Sequence, residues 1–417
     1  MEKHMSIISG LRCKVCGQLY EESPQYICEE CFGPLEMHYN YAEISSSIQK
    51  GQFNEAGGKS QRGAFPPASQ WINQDLRVGG TPFVRAHGLG KFLGINKLYL
   101  KDEGASYPTL SFKDRVVASA MTKVTEFGFD TVACASTGNL ANALAARAAS
   151  RGIKCVIFVP QGSDYNKISH AVSSGAIIFE VQSNYDGANR LCSEVQDTLG
   201  WAVINGNLKP YYLEGVKPLA YEIMNELKDE RPASIVAPMG GGGLLSMIWK
   251  GICEMKELNL LDGELPALIG AQASGSAPIV HAWQNNSDDI IPVKPDTKIA
   301  SIAIGDPPDG IYAIEAMQQS GGKGFAIPDE EANKMVKLLA KVEGIATGGA
   351  GGVALCAASE LIKADKAYNE GPVIVLLTDR GNSSDLSANT AGKTEDKAIK
   401  VEANISTFVE MWKQNYA

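Results

Sequence analysis

No run of about 18 apolar residues occurs in this 417-residue chain, so it offers no candidate for a membrane-spanning helix. It also lacks a long basic tract. Lys and Arg total 38 against 47 Asp and Glu, a net charge of −9. Nucleic acids and anionic membranes require clustered positive charge to neutralise phosphates, so neither is an expected partner. The opening residues, Met-Glu-Lys-His-Met-Ser, carry neither the apolar stretch of a signal peptide nor a transit-peptide bias, and a cytoplasmic location is expected. No repeat of solenoid length recurs. What is present is a composition of 44% hydrophobic and 20% charged residues, that of a soluble globular protein long enough for two or three domains.

The nine cysteines fall into two groups. Five are scattered singly (Cys134, Cys155, Cys192, Cys253, Cys356) in apolar strand or helix patterns, where buried reduced thiols are common. The other four form two CxxC knuckles, Cys13-Lys-Val-Cys16 and Cys28-Glu-Glu-Cys31, with Gly17 and Gly33 close behind them. Four thiolates in two close pairs suit a tetrahedral zinc ion, and so short a segment needs one to fold. A closed four-cysteine site leaves no open position, so the expected role is structural. A redox pair fits less well, because neither knuckle adjoins a βαβ pattern.

After this ribbon (residues 1–40), residues 41–80 are rich in Ser, Gln, Gly and Pro and read as a connecting arm. Short apolar strands then alternate with helices. Strands are predicted at Lys97–Lys101, Thr131–Ala135, Lys154–Val159, Ile177–Val181, Trp201–Asn205, Ser234–Pro238, Leu268–Gln272 and Val373–Leu377. Such strands, each followed by a helix, predict an α/β fold with parallel sheets covered on both faces. The turn-rich stretch 285–325 interrupts the pattern, and 386–417 reads as a polar tail with a closing amphipathic helix at Ile405–Trp412.

Lys113, in Ser111-Phe112-Lys113-Asp114-Arg115, falls where a helix should begin, since Val116, Val117, Ala120, Met121, Val124 and Phe127 follow at helical spacing. A cation there opposes the helix dipole by roughly 0.3–1 kcal/mol, and the same field favours a neutral, nucleophilic amine. Three strand ends supply companions. Ser136-Thr137-Gly138-Asn139 follows one strand and opens a helix, an arrangement suited to an anion as well as to simple capping. Gly240-Gly241-Gly242-Gly243 stands between another strand and a helix, where bare amides can wrap a phosphate. No Gly-Lys-Ser/Thr follows it, so it is not a nucleotide P-loop. Thr378 ends the strand Val373–Leu377. Together, an amine, a phosphate cradle and hydroxyl-bearing strand ends fit pyridoxal 5'-phosphate, which a lysine binds as a Schiff base.

At this point the chain resembles the threonine synthases, fold-type-II pyridoxal-phosphate enzymes. The residues that carry the likeness are the ribbon ending Gly33-Pro34-Leu35-Glu36, Thr81-Pro82, Tyr107 through Arg115, Ser136 through Asn139, and Pro210-Tyr211-Tyr212-x-Glu214-Gly215. The resemblance implies two doubly wound lobes within residues 81–385, the smaller (about 115–215) inserted in the larger, and a homodimer. It implies that Lys113 is the Schiff-base lysine, that Asn139 bonds the ring's 3'-oxygen, that Gly240–Gly243 hold the cofactor phosphate and that Thr378 faces the ring nitrogen. Lys101, Arg115, Ser136 and Thr137 become candidates for the phosphate of a phosphorylated amino-acid substrate. The implied reaction turns O-phospho-L-homoserine and water into L-threonine and phosphate. The chain departs from the family at Thr378-Asp379-Arg380-Gly381-Asn382-Ser383-Ser384, where Thr-Gly-x-Gly is usual, and in its tetraglycine and Thr347–Gly352 stretches. The alternatives are replacement chemistry on O-phosphoserine and dehydration of an unphosphorylated hydroxyamino acid.

Overall fold

Apolar strands of five to seven residues, most of them followed by a helix, form the body of two sheets that are parallel but for one edge pairing. The structure, a computed structural model, describes residues 7–47, 78–227, 230–381 and 398–416. Most of the predicted connecting arm (48–77), and Asn382, Ser383 and Ser384 after the last strand of the larger sheet, lie outside the described residues. Among the described residues, no helix is long and apolar enough to cross a membrane.

The larger sheet runs in the order Lys323–Ile327, Ala267–Ala273, Ser234–Pro238, Val373–Leu377, Leu98–Asp102, Phe83–Arg85, and only its last pairing is antiparallel. Its central strands Ser234–Pro238 and Val373–Leu377 are buried along their whole length, as strands covered on both faces must be. The smaller sheet runs Ile399–Val401, Ile177–Val181, Lys154–Pro160, Thr131–Ala135, Ala202–Val203, all parallel. Parallel pairing brings the carboxyl ends of neighbouring strands to one side, where ligands of such sheets sit.

The C-terminal residues differ from the expected tail. Ile399–Val401 adds an edge strand to the smaller sheet, and the helix Ile405–Asn415 packs Phe408 and Trp412 against Phe158, Phe179 and Trp201. The Trp201 and Trp412 rings meet edge to face with centroids 4.5 Å apart. Burying several aromatic side chains gives this short helix its reason to dock. The glycine run Thr347–Gly352, expected as a loop, instead opens the helix Gly349–Ala364. A side chain at Gly352 would stand 2.3 Å from the Ala332 carbonyl, so the glycine there serves close helix packing.

The cysteine ribbon is a three-stranded antiparallel sheet (Leu19–Tyr20, Ile8–Cys13, Leu35–Tyr39), and it shares the main hydrophobic core through Leu11, Leu35, Met37 and Tyr39. Buried charge fastens it. Glu36 meets Lys250 at 3.0 Å, Lys250 meets Glu214 at 3.0 Å, and the Tyr39 hydroxyl donates to Glu214 at 2.7 Å. Burial alone would raise the Glu36 carboxyl, but Lys250 and Lys14 outweigh it and hold it at about 2. A carboxyl depressed in the folded state stabilises it above its ordinary value of 4.5, and that stabilisation fades as pH falls toward 2. The full effect is about 3 kcal/mol. Glu36→Gln is therefore expected to lower Tm near neutrality and to shrink the fall in Tm between about pH 5 and pH 3. An acid limb identical to wild type would mean that Glu36 does not carry this term.

Candidate active site

The segment before Lys113 is built to deliver one side chain. Asp114 is buried and accepts from Thr109 twice, from its amide at 2.9 Å and its hydroxyl at 2.8 Å, which folds the approach loop back on itself. Burial pushes the Asp114 carboxyl up to about 6 against those hydrogen bonds. The Phe112 amide donates to the Thr378 carbonyl at 3.0 Å, and Ser111 pairs with Asp379, so the loop is stitched to the end of a central strand. The helix Lys113–Glu126 then starts at the lysine itself, as its sequence spacing predicts. Lys113 Nζ donates to the Tyr212 hydroxyl at 2.7 Å and lies 4.6 Å from the Phe112 ring centroid.

The other strand ends are linked to this loop and to the helix that carries Tyr212. Ser136–Gly138 leads into the helix Asn139–Arg151, and Asn139 Nδ2 donates to the Asp379 carboxylate at 3.2 Å. Burial raises the Asp379 carboxyl, while the Gly381 amide and Asn139 oppose that shift. The acid that the sequence places beside Thr378 is thus turned toward Asn139. Thr378 itself is buried, and its carbonyl is engaged by Phe112. Leu213, next to Tyr212, touches the tetraglycine turn: a side chain at Gly243 would stand 2.9 Å from its Cδ2. Gly242 has φ +93°, and a side chain there would meet the Asp309 carbonyl at 2.6 Å. Gly242 is therefore required by the close approach of the 309 turn. The helix Gly243–Glu257 begins with no side-chain cap. Among the described residues, no protein acceptor takes the amides of Gly240, Gly241, Gly242 or Gly243.

Lys101 and Arg115, expected at a substrate phosphate, are placed otherwise. Lys101 is fully buried, 2.8 Å from Glu222, 2.9 Å from Glu226 and 2.8 Å from the Thr81 carbonyl. Arg115 grips Glu103 through Nε at 2.6 Å and Nη2 at 2.8 Å, and Glu222 through Nη1 at 2.7 Å and Nη2 at 2.8 Å. Burial would raise the Glu222 carboxyl, but Arg115 and Lys101 hold it near 2. Two cations set among three carboxylates leave no positive charge for an incoming phosphate. Position in the sequence suggested an anion site; the buried acids of neighbouring elements make it an ion-pair cage.

Comparison with known proteins now adds to the geometry. A family model described as pyridoxal-phosphate dependent enzyme matches residues 75–379. A threonine synthase of Methanocaldococcus jannaschii is 34% identical over 408 residues, 97% of this chain and 99% of the relative. One of Mycobacterium tuberculosis is 36% identical, with 68% of this chain and 76% of the relative covered. The chain belongs to the threonine synthase family of pyridoxal-phosphate dependent enzymes. At the level of fold it is also similar to maize serine racemase, with TM-score 0.62, 20% identity, and 76% and 94% of the two chains covered.

The residues present fit the family's cofactor. An amine at a helix start and four amides without protein acceptors offer what an aldehyde and a phosphate monoester need. The Ser111 hydroxyl, buried without a partner two residues before Lys113, is a further polar group that sequence reading left unassigned. Tyr212 was also missed as a site residue, although the Tyr-Tyr pair before Glu214 was noted. The four ribbon sulfurs fit a metal. All lie within 4.8 Å of one another, with Cys13 to Cys31 at 3.4 Å and Cys16 to Cys28 at 3.6 Å. Tetrahedral zinc with about 2.3 Å bonds to sulfur sets its sulfurs about 3.8 Å apart.

Arg115→Met is expected to cost about 3–5 kcal/mol of stability in denaturant unfolding, because it leaves Glu103 buried without its partner. A variant as stable as wild type but with a raised substrate KM would return Arg115 to the substrate.

Proposed function

We propose that the protein converts O-phospho-L-homoserine and water to L-threonine and phosphate. The observation that carries this reading is the Lys113 amine on Tyr212, whose neighbour Leu213 touches a turn of unclaimed amides, in a chain that matches threonine synthases along nearly its whole length. Lys113 would bind the cofactor's aldehyde, Gly240–Gly243 its phosphate and Asn139 its 3'-oxygen, while Thr378 would face the ring nitrogen. When bound, pyridoxal phosphate supplies an electron sink for the substrate's α-carbon. Lys113 Nζ is the group on this chain that moves protons at the α and β carbons.

With Lys101 and Arg115 spent in ion pairs, the substrate's own phosphate falls to Ser136, Thr137 and the amides that open the Asn139 helix, whose dipole favours an anion. Cys13, Cys16, Cys28 and Cys31 would hold a structural zinc ion, which leaves the ribbon outside the chemistry. The same neutralised cage favours one second reading, an unphosphorylated hydroxyamino acid such as threonine, whose dehydration needs no second anion site.

Purified protein offered O-phosphohomoserine, O-phosphoserine and threonine separately distinguishes these readings. Phosphate and threonine should form from the first. Ammonia from threonine, with no phosphate from either ester, would establish the dehydratase. Lys113→Ala should abolish turnover and the protein-bound cofactor absorbance while leaving the apoprotein's Tm unchanged.

A further inference from the structure

We propose that Tyr212 is a catalytic residue, the hydroxyl through which a proton collected by Lys113 reaches the departing oxygen of the substrate. The inference rests on the reading of Lys113 given above and deepens it.

Tyr212 holds the one side-chain hydrogen bond of Lys113 Nζ among the described residues, at 2.7 Å. Two neighbouring titratable groups are occupied or unsuited. Asp379 accepts from Asn139 and from the Gly381 amide, and burial keeps the Cys134 thiol protonated. Tyr211 points the other way, its hydroxyl donating to the Ser23 carbonyl of the ribbon at 2.8 Å. The two tyrosines thus divide the work of one short helix, Lys209–Glu214: Tyr211 fixes it to the ribbon and Tyr212 faces the amine. Glu214 at the end of that helix is gripped by Lys217 at 2.5 Å, Lys250 at 3.0 Å and Tyr39 at 2.7 Å. A phenol held this firmly, in contact with a group that must accept and give up protons, is placed for relay rather than for bulk.

The chemistry balances. In the expelling step the neutral Lys113 amine takes the proton of the carbon next to the breaking C–O bond, the β carbon of O-phosphohomoserine, whose α proton it has already moved, and becomes ammonium. One ammonium proton passes to Tyr212 Oη as the phenol's own proton moves to the oxygen that leaves carbon. The phenol ends unchanged, the amine returns to its neutral form, and the electron pair of the broken C–H bond becomes the new carbon–carbon double bond as that of the C–O bond departs with the leaving group. A neutral phenol cannot accept a proton without giving one up, so the two transfers are one event. A tyrosine suits this step because its hydroxyl both donates and accepts.

Tyr212→Phe keeps the ring and removes the hydroxyl. Three measurements compare it with wild type: steady-state kinetics on the amino acid that wild type turns over, borohydride trapping of cofactor on Lys113, and exchange of the α hydrogen of L-2-aminobutyrate into deuterium oxide followed by proton NMR. This amino acid has no leaving group, so its exchange needs Lys113 alone. The expected result is a fall in kcat on the order of 10²- to 10⁴-fold with KM, trapping and exchange each within about threefold of wild type. A kcat within about threefold of wild type overturns the relay. So does a parallel loss of exchange, trapping and kcat, which would make Tyr212 a support for Lys113 only. Failure of the threonine synthase reading shows elsewhere, in wild-type protein that forms no threonine from O-phosphohomoserine.

Discussion

A guanidinium buried between two carboxylates decides where the reactive lysine of this protein can stand. Arg115 lies two residues into the helix that Lys113 begins, and its bonds to Glu103 and Glu222 tie that helix to the end of the strand Leu98–Asp102 and to the helix Lys217–Glu226. Lys101 enters the same cage from the strand Leu98–Asp102. An unpaired charge at such depth would cost several kcal/mol, so each member depends on the others. The arrangement is demanding of geometry, and geometry is what a reactive amine needs: a small shift of the helix would carry Nζ away from Tyr212.

A second network of buried charge does for Tyr212 what the first does for Lys113. Glu214, Lys217, Lys250 and Glu254 are joined to Glu36, Tyr39 and Tyr41 of the N-terminal region and its ribbon. The ribbon, although small, therefore stands behind the helix that faces the amine. A metal on its four cysteines would stiffen a scaffold that reaches the site without taking part in the chemistry.

Much of this was legible in the residues. The strands Thr131–Ala135, Ile177–Val181, Ser234–Pro238 and Val373–Leu377 occupy the residues their apolar runs predict, because a strand buried on both faces has little freedom in composition. The edge strands Lys323–Ile327 and Ile399–Val401 were missed for the opposite reason. Each carries a lysine, one carries a glycine, and edge positions tolerate both. Lys113 stood out because a cation is locally unfavourable at a helix start, and local costs can be read from local sequence. The cage could not be read that way. Glu222 lies 107 residues from Arg115, and only folding sets them together. The same limit hid Tyr212, which looks like any core tyrosine until its hydroxyl is found on the amine.

The central claim is that, of Lys101 and Lys113, it is Lys113 that is free to bond a carbonyl, because Lys101 is spent on carboxylates. Borohydride reduction of the protein loaded with pyridoxal phosphate, followed by peptide mapping, tests it most directly. The account predicts a single modified peptide with the reduced cofactor on Lys113 and unmodified Lys101. Cofactor fixed to Lys101 or to any other lysine, with Lys113 unmodified, would contradict it.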